Sequence, residues 1–209
     1  MEFGDGLWLL DTGAPISFGT QAAISLAGVK FPLQDNYLGL SAAALSRFVL
    51  VDCAGLLGAD VLNTFDLIFD IPKAILALSR DDLDFVGQVM PLGEFMGIPI
   101  ITAQILGSEN RMFLDTGAQI SYWQDDSLTK FPFVGEVSDF YPGVGQFQTD
   151  TYRVEVTLGR DVFTVRCGTL PGILGMTLAL ADTRGIIGNE IFVNRRLGYF
   201  PRRRKLVFD

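Results

Sequence analysis

The chain has 209 residues, a mean hydropathy of +0.34 and a formal net charge of −8 at pH 7, and its length suits one large domain or two of about 100 residues each. The acidic pI of about 4.5 argues against a nucleic-acid-binding protein, whose affinity depends on a basic field. The chain contains no histidine, which excludes hydrolases with an imidazole base and metalloenzymes with histidine ligands, and leaves carboxylate, lysine, cysteine or tyrosine for acid–base chemistry.

The start of the chain predicts no export signal and no membrane anchor. Residues 1–8, MEFGDGLW, lack the basic start and the long apolar stretch of a secretory signal. No apolar run reaches the roughly 18 residues of a membrane helix. We expect no transmembrane segment, and the compartment is unknown. Because little sequence precedes the first motif, we also expect that the native protein extends further upstream.

The chain repeats itself. Residues 10–18 read LDTGAPISF and residues 114–122 read LDTGAQISY, with seven of nine positions identical. A second pair follows, LLGADVL at 56–62 and IIGNEIF at 186–192, each with two apolar residues before a glycine and an acidic residue two positions after it. The same signals occur in the same order in both halves, which indicates a tandem duplication.

The segments downstream of each second motif, 65–78 and 197–208, are apolar runs broken by proline and basic residues, and they predict a helical turn followed by a strand hairpin. Short runs punctuated by glycine and proline predict an all-β protein with few helices. We expect those short helices at 20–29 and at 180–185.

We predict two related closed β lobes. The first lobe covers residues 1–85, the second lobe covers 98–209, and residues 86–97, VGQVMPLGEFMG, form the linker that crosses between them. We expect Cys53 and Cys167 at corresponding places in the two lobes, buried as small hydrophobic side chains. The basic residues between 195 and 205 predict a solvated hairpin turn, with a patch for docking a partner as the alternative.

Two strands that each end in Asp-Thr-Gly, in two related lobes, have a specific chemical use. Packing of the lobes about a two-fold axis brings Asp11 and Asp115 within hydrogen-bonding range. Like charges at that distance cannot both ionise, so the pair shares one proton. Neighbouring residues support the site: glycines permit tight turns whose amides point at the carboxylates, and threonine hydroxyls bond across the lobes. These supporting residues are Thr12, Gly13, Thr116 and Gly117.

The two DTGA loops, each followed by an apolar-apolar-Gly segment, resemble the pepsin-like and retropepsin-like aspartic proteases. The second lobe is similar to a retroviral protease subunit, with the flap-like FYPGVGQFQ at 140–148 and the strand pair at 152–165. The resemblance implies a bilobal aspartic-protease fold, Asp11 and Asp115 as the catalytic pair, and no metal or cofactor. It also implies an extended peptide or protein substrate, held under a flap whose tip comprises Tyr141, Gly143, Val144 and Gly145. The lobes are expected to pair within one chain, as a monomer.

The lobes differ in length between the two motifs. The first lobe has 47 residues from Asp11 to Gly58 and the second has 73 from Asp115 to Gly188. We therefore expect the flap of the first lobe to be missing or reduced to NYLGLS at 36–41, which reverses the arrangement in pepsins.

Other interpretations remain. A protease fold can bind a peptide or a protein partner without cutting it. A glycosidase would use two carboxylates at least about 5 Å apart, farther than facing DTG loops would place them. Ser17 and Ser121 are expected to bond to nearby backbone at a turn. Asp60 and Glu190 are expected to be solvated or to cap a helix.

Overall fold

The computed structural model describes residues 1–3 and 6–209, and it confirms the predicted all-β fold with a few short helices. We call residues 1–85 the first lobe and residues 98–209 the second lobe, after the predicted division. The strands of the first lobe are β1 (Glu2–Phe3), β2 (Gly6–Leu10), β3 (Phe18–Gly19), β4 (Ala23–Leu26), β5 (Val29–Pro32), β6 (Asn36–Tyr37), β7 (Leu40–Ser41), β8 (Gly55–Leu57), β9 (Asp66–Asp70) and β10 (Ile75–Ser79). Its helices are α1 (Ala42–Val49), α2 (Ala59–Leu62) and a 3-10 turn at Ile71–Lys73.

The rest of the chain is built in the same way, with longer strands. They are β11 (Gln88–Pro91), β12 (Gly93–Phe95), β13 (Ile98–Ile105), β14 (Ser108–Leu114), β15 (Ser121–Trp123), β16 (Phe133–Tyr141), β17 (Gly145–Leu158), β18 (Asp161–Gly168), β19 (Gly185–Ile187), β20 (Arg196–Phe200) and β21 (Lys205–Phe208). The helices are α3 (Gly172–Leu180) and the 3-10 turns Asp126–Lys130, Asn189–Phe192 and Pro201–Arg203. No helix of the described residues is long and apolar enough to cross a membrane.

Each DTGA motif follows a strand that pairs in parallel with the strand of an apolar-apolar-Gly motif. In the first lobe β2 pairs with β8, which also pairs antiparallel with β3. In the second lobe β14 pairs with β19, which also pairs antiparallel with β15. The strands β8 and β19 are central and buried along their whole length, which explains their uninterrupted apolar sequences. This pairing places each aspartate at the end of a strand that is held against a fully buried one.

Strands from both lobes share one five-stranded sheet, in the order β10-β9-β20-β21-β11. The predicted linker, 86–97, contributes β11 to this sheet, and its β12 pairs with β13. Met90 in β11 and Leu92, between β11 and β12, are buried, so the predicted linker packs as part of the sheets. The lobe boundaries at 85 and 98 stay a prediction, because the shared sheet joins the two lobes.

The predicted hairpins at 65–78 and 197–208 are confirmed, but in both the helical turn lies between the two strands and not before them. The two predicted helices are wrong. Segment 20–29 contains β4 and the turn into β5, because Ile24 and Leu26 are buried on either side of exposed Ser25, a period of two. Residues 181–185 follow the end of α3 at Leu180 and lead into β19, so the helix lies upstream of the expected place.

Helix α1 was not predicted. Ser41 caps its first turn by accepting a hydrogen bond from the amide of Ala44 at 3.3 Å, and Ala42 and Leu45 lie on its buried side. The cysteines are buried as expected, but they do not occupy corresponding places. Cys53 lies in the loop between α1 and β8, whereas Cys167 lies in β18.

The basic hairpin turn between β20 and β21 is tied to the first lobe. Asp66 in β9 is fully buried, and it forms ion pairs with Arg202, at 3.1 Å, and with Arg203. The turn is therefore more than a solvated connection, since two of its arginines neutralise a buried carboxylate of the other lobe.

Candidate active site

The two DTGA loops hold their aspartates in matching ways. Oδ1 of Asp11 accepts hydrogen bonds from the amides of Gly13 and Ala14, at 2.9 and 3.0 Å. Oδ1 of Asp115 accepts hydrogen bonds from the amides of Gly117 and Ala118, at 2.8 and 3.1 Å. Each loop thus fixes one carboxylate oxygen and leaves the other for the opposite loop or a ligand.

The threonines lock the two loops together, as expected from the sequence. The hydroxyl of Thr12 donates to the carbonyl of Leu114, and that of Thr116 donates to the carbonyl of Leu10, both at 2.7 Å. Each hydroxyl also accepts a hydrogen bond from the amide of the other threonine, at 3.1 Å. The four hydrogen bonds form a closed set that fixes the distance between the two lobes at the site.

The glycines of the loops have a steric function that the sequence did not indicate. A Cβ atom added at Gly117 would lie 2.5 Å from Cγ of Asp11, and one added at Gly13 would overlap the carboxyl group of Asp115. Neither glycine has a positive φ. Glycine is therefore required at both positions for the approach of the opposite carboxyl group rather than for an unusual backbone conformation.

The two carboxyl groups are hydrogen-bonded to each other, and both pKa values are raised. Burial raises the pKa of Asp11 well above its usual value, and the charge of Asp115 and the hydrogen bond to it raise it further. Burial also raises the pKa of Asp115, while the hydrogen bond with Asp11 lowers it. Two buried carboxyl groups in contact cannot both ionise readily, which is the condition under which such a pair shares one proton.

A serine that follows each DTGA loop bonds to the apolar-apolar-Gly motif of the same lobe, and not to the nearby backbone that the sequence led us to expect. Oγ of Ser17 accepts a hydrogen bond from the amide of Gly58 at 2.8 Å, and Oγ of Ser121 accepts one from Gly188 at 3.1 Å. In the first lobe, Asp60 accepts from the amide and the hydroxyl of Ser17, at 3.1 and 2.6 Å. These bonds join the DTGA loop to the motif that follows it.

The acidic residue of the second lobe has a different partner. Glu190 accepts hydrogen bonds from the amide of Arg166 and from its guanidinium Nε, at 2.6 and 2.8 Å. The two equivalent-looking acidic residues therefore differ, since one supports an active-site loop and the other supports β18.

The hairpin β16–β17 projects over the cleft from the second lobe. Its turn is closed by a hydrogen bond from the amide of Val144 to the carbonyl of Tyr141 at 3.0 Å. Gly143 and Gly145 have φ values of 79° and 92°, in the left-handed region that favours glycine. Phe140 stacks on Phe48 of α1, with ring centroids 4.1 Å apart, so the hairpin reaches across to the first lobe.

The first lobe has a much shorter hairpin on its side, β6–β7, at the place where the sequence predicted a reduced flap. Its turn comprises Leu38 and Gly39, with φ values of 49° and 83°. The side chain of Leu38 lies beside the backbone of Gly143, within 3.7 Å of an added Cβ there. The two hairpin tips therefore meet above the aspartates.

A cleft with an empty volume of about 900 Å³, part of it open to solvent, lies between the aspartates and the hairpins. Tyr141 and Tyr37 line it, and burial raises the pKa of Tyr141 to about 12, so its hydroxyl stays neutral. The sequence did not indicate that Asp139 and Tyr122 also line the cleft, with the Tyr122 hydroxyl donating to the Asp139 carboxylate. The repeated motif offered one signal, because Tyr122 stands where the first copy has Phe18.

No protein-family model and no curated protein matches the sequence. Among solved structures, the chain is similar to a retropepsin-like aspartic protease from Rickettsia conorii, with 15% identity and a TM-score of 0.39. The match covers 61% of this chain and 96% of that chain.

Proposed function

We propose that the protein is an aspartic peptidase in which Asp11 and Asp115 share one proton and activate a water molecule against a peptide bond. The observation that carries this proposal is the pair of DTGA loops, locked by reciprocal threonine hydrogen bonds, which holds the two carboxyl groups against each other at the base of a cleft. Both carboxyl groups have raised pKa values there. The ionised carboxylate takes a proton from water, and the resulting hydroxide attacks the scissile carbonyl carbon. The protonated carboxyl group donates a hydrogen bond to the carbonyl oxygen as that oxygen gains negative charge. Proton transfer to the amide nitrogen then releases the amine and regenerates the pair.

We also propose that residues 1–85 and 98–209 are lobes related by duplication, joined by 86–97 and paired within one chain. The matched strand pairing around β8 and β19 and the reciprocal threonine bonds support this relation. The hairpin β16–β17 then acts as the flap, with its tip at Tyr141, Gly143, Val144 and Gly145. Its positive-φ glycines and its contact with α1 support that assignment.

Two other functions are less well supported. Two mutually hydrogen-bonded carboxyl groups are closer than the roughly 5 Å or more that a glycosidase uses. A module that binds a peptide without cutting it is the remaining alternative, and the presence of both aspartates and of their amide hydrogen bonds favours the enzyme.

The test is hydrolysis of a peptide library at pH 4 to 7 by the unmodified protein and by Asp11→Asn and Asp115→Asn. We expect cleavage next to large apolar residues, with a maximum in mildly acidic solution because raised pKa values move the acid limb upward. Each variant should lose at least about 10³-fold in kcat/KM. Circular dichroism checks that the variants are folded. Peptide binding without cleavage by the unmodified protein would favour the binding module, and an active variant would refute the shared-proton mechanism.

A further inference from the structure

We propose that Asp139 makes one side of the cleft selective for a lysine or arginine side chain of the substrate, while the opposite side accepts a large apolar residue. This inference rests on the proposed function, because it assigns the substrate preference of the same cleft. It goes beyond the aspartate pair, since Asp139 belongs to the hairpin β16–β17 and acts on the pair only through its charge, which raises the pKa of Asp115.

Two contacts with Tyr122 fix this part of the hairpin, one made by Asp139 and one by its cross-strand neighbour Phe147. Asp139 in β16 pairs with Phe147 in β17, so both side chains lie on the same face of the hairpin. The carboxylate of Asp139 accepts a hydrogen bond from Tyr122, and the ring of Phe147 packs on the Tyr122 ring with centroids 6.2 Å apart. This face of the hairpin therefore faces the second lobe and the cleft.

The charges that line the cleft are all negative. Within the part of the chain that the structure describes, the lining residues include the acidic side chains of Asp11, Asp115 and Asp139 and no lysine or arginine. None of the ion pairs among the described residues involves Asp139. A cleft that holds a shared-proton pair and a further carboxylate lacks a positive partner, which a substrate can supply.

The two walls of the cleft differ in polarity. The wall of the first lobe is formed by apolar side chains of one buried cluster, among them Leu9, Leu40, Leu45, Val49 and Leu56. Tyr37, in the same cluster, adds a hydroxyl but no charge, so this wall favours a large apolar residue and offers a charged one no counter-ion.

The wall of the second lobe combines apolar surface with the carboxylate. Phe147, Leu170 and Ile186 line it together with Tyr122 and Asp139. A lysine or arginine suits this arrangement, because its alkyl stem packs on apolar surface while its charged end reaches the carboxylate. The Tyr122 hydroxyl holds that carboxylate in place before the substrate binds.

The test compares peptides of one apolar frame that carry lysine or its neutral analogue norleucine on either side of the cleaved bond, at pH 6. For the unmodified protein we expect lysine to be preferred over norleucine by about tenfold in kcat/KM on one side of the bond. On the other side norleucine should be preferred. Asp139→Asn should abolish the lysine preference, measured as the ratio of kcat/KM for the lysine and norleucine peptides, so that a change in rate common to both peptides does not affect the result. Glu136→Gln is the matched control, since it removes a charge from an exposed position of the same strand.

The outcomes separate this inference from the proposed function. A preference for norleucine on both sides, or a lysine preference that survives in Asp139→Asn, would overturn the role of Asp139 while leaving peptide hydrolysis intact. If no peptide is cleaved, fluorescence anisotropy of the same labelled peptides decides. Tighter binding of a lysine peptide that is lost in Asp139→Asn supports the selectivity without hydrolysis, and equal binding of all peptides overturns it.

Discussion

The two lobes are nearly identical around the aspartates and different in the segments that cover the cleft. The hydrogen bonds made by the aspartates and the threonines agree between the lobes to within 0.1 Å, at 2.9 and 2.8 Å for the glycine amides and 2.7 Å for both threonine hydroxyls. Farther out, the second lobe carries the long hairpin β16–β17, whereas the first has the two-residue strands of β6–β7 and the helix α1.

This contrast separates two kinds of constraint. A shared proton requires two carboxyl groups in one fixed relation, so any change in one loop must be matched in the other. Covering the cleft has no such requirement, because one hairpin that reaches the opposite lobe is enough. Symmetry is therefore expected where the chemistry is, and asymmetry where the substrate enters and is selected.

The largest effect is expected from substitutions in the two DTGA loops, where the lobes are alike. Gly13→Ala and Gly117→Ala each place a methyl group where the opposite carboxyl group lies, so each should reduce kcat/KM by at least about 10³-fold. Gly172→Ala is the control, because an added Cβ there meets nothing within 4 Å. Steady-state kinetics would show whether the losses match, and a large loss in one lobe alone would break the comparison.

The threonine bonds should contribute equally to stability from both sides. Thr12→Val and Thr116→Val each remove a donor and an acceptor from the closed set of four buried or partly buried hydrogen bonds, so each should cost about 2–4 kcal/mol of unfolding free energy. Because the two residues bond to each other, the double variant should lose less than the sum. Chemical denaturation measures this, with Thr→Ser at the same positions as controls. Equal stability of the valine and serine variants would contradict the prediction.

Substitutions in the two hairpins that cover the cleft should have unequal effects. Gly143→Val and Gly145→Val strain a positive-φ backbone at the tip of the proposed flap and should reduce kcat/KM by about 10- to 100-fold. Gly39→Val strains the short hairpin of the first lobe and should reduce it by less than about threefold. Thermal unfolding of the three variants separates lost stability from lost turnover. A larger loss at Gly39 than at Gly143 and Gly145 would reverse the flap assignment.

The smallest expected effect is a gain in stability from disabling the site. Both aspartates have raised pKa values, so the folded protein binds their protons more tightly than the unfolded chain does. Stability therefore falls as the pH rises through the interval between the usual carboxyl pKa and the raised one, and it stays lower above that interval. Asp11→Asn and Asp115→Asn should raise Tm at pH 7, where about 2–4 °C corresponds to 1 kcal/mol for a protein of this size. The gain should shrink below pH 4, and a gain independent of pH would rule out the raised pKa values as its cause.

The sequence predicted the parts of the site that depend on local motifs. The DTGA loops, the apolar-apolar-Gly strands and the hairpins after them follow from residues that are close in sequence. The helix predicted at 20–29 was wrong because the prediction gave more weight to the alanines than to the alternation of apolar and polar residues. That alternation is clear at Ile24, Ser25 and Leu26. The sequence does carry a signal for helix α1, which is a serine cap followed by a run of small residues. The apolar run at 48–53, which overlaps the end of the helix, masked this signal.

Contacts that depend on the register between paired strands could not be predicted from the sequence. Asp139 meets Tyr122 because of the specific pairing between β16 and β17, in which a shift of one residue would turn the carboxylate to the other face. The steric requirement for Gly13 and Gly117 likewise depends on how closely the lobes approach. Such features follow from tertiary packing, which no single segment determines.

The shared sheet has a consequence for the order of folding. Its central pairing joins β9 to β20, and its ion pair joins Asp66 to Arg203, 137 residues later in the chain. Contacts of such long sequence separation form slowly, and during synthesis they must wait for the later strand to leave the ribosome. Until then β9 offers an unpaired edge, and the buried Asp66 lacks its arginines. A nascent chain of this protein is therefore expected to need protection from aggregation, and to acquire its paired aspartates only as a late event of maturation.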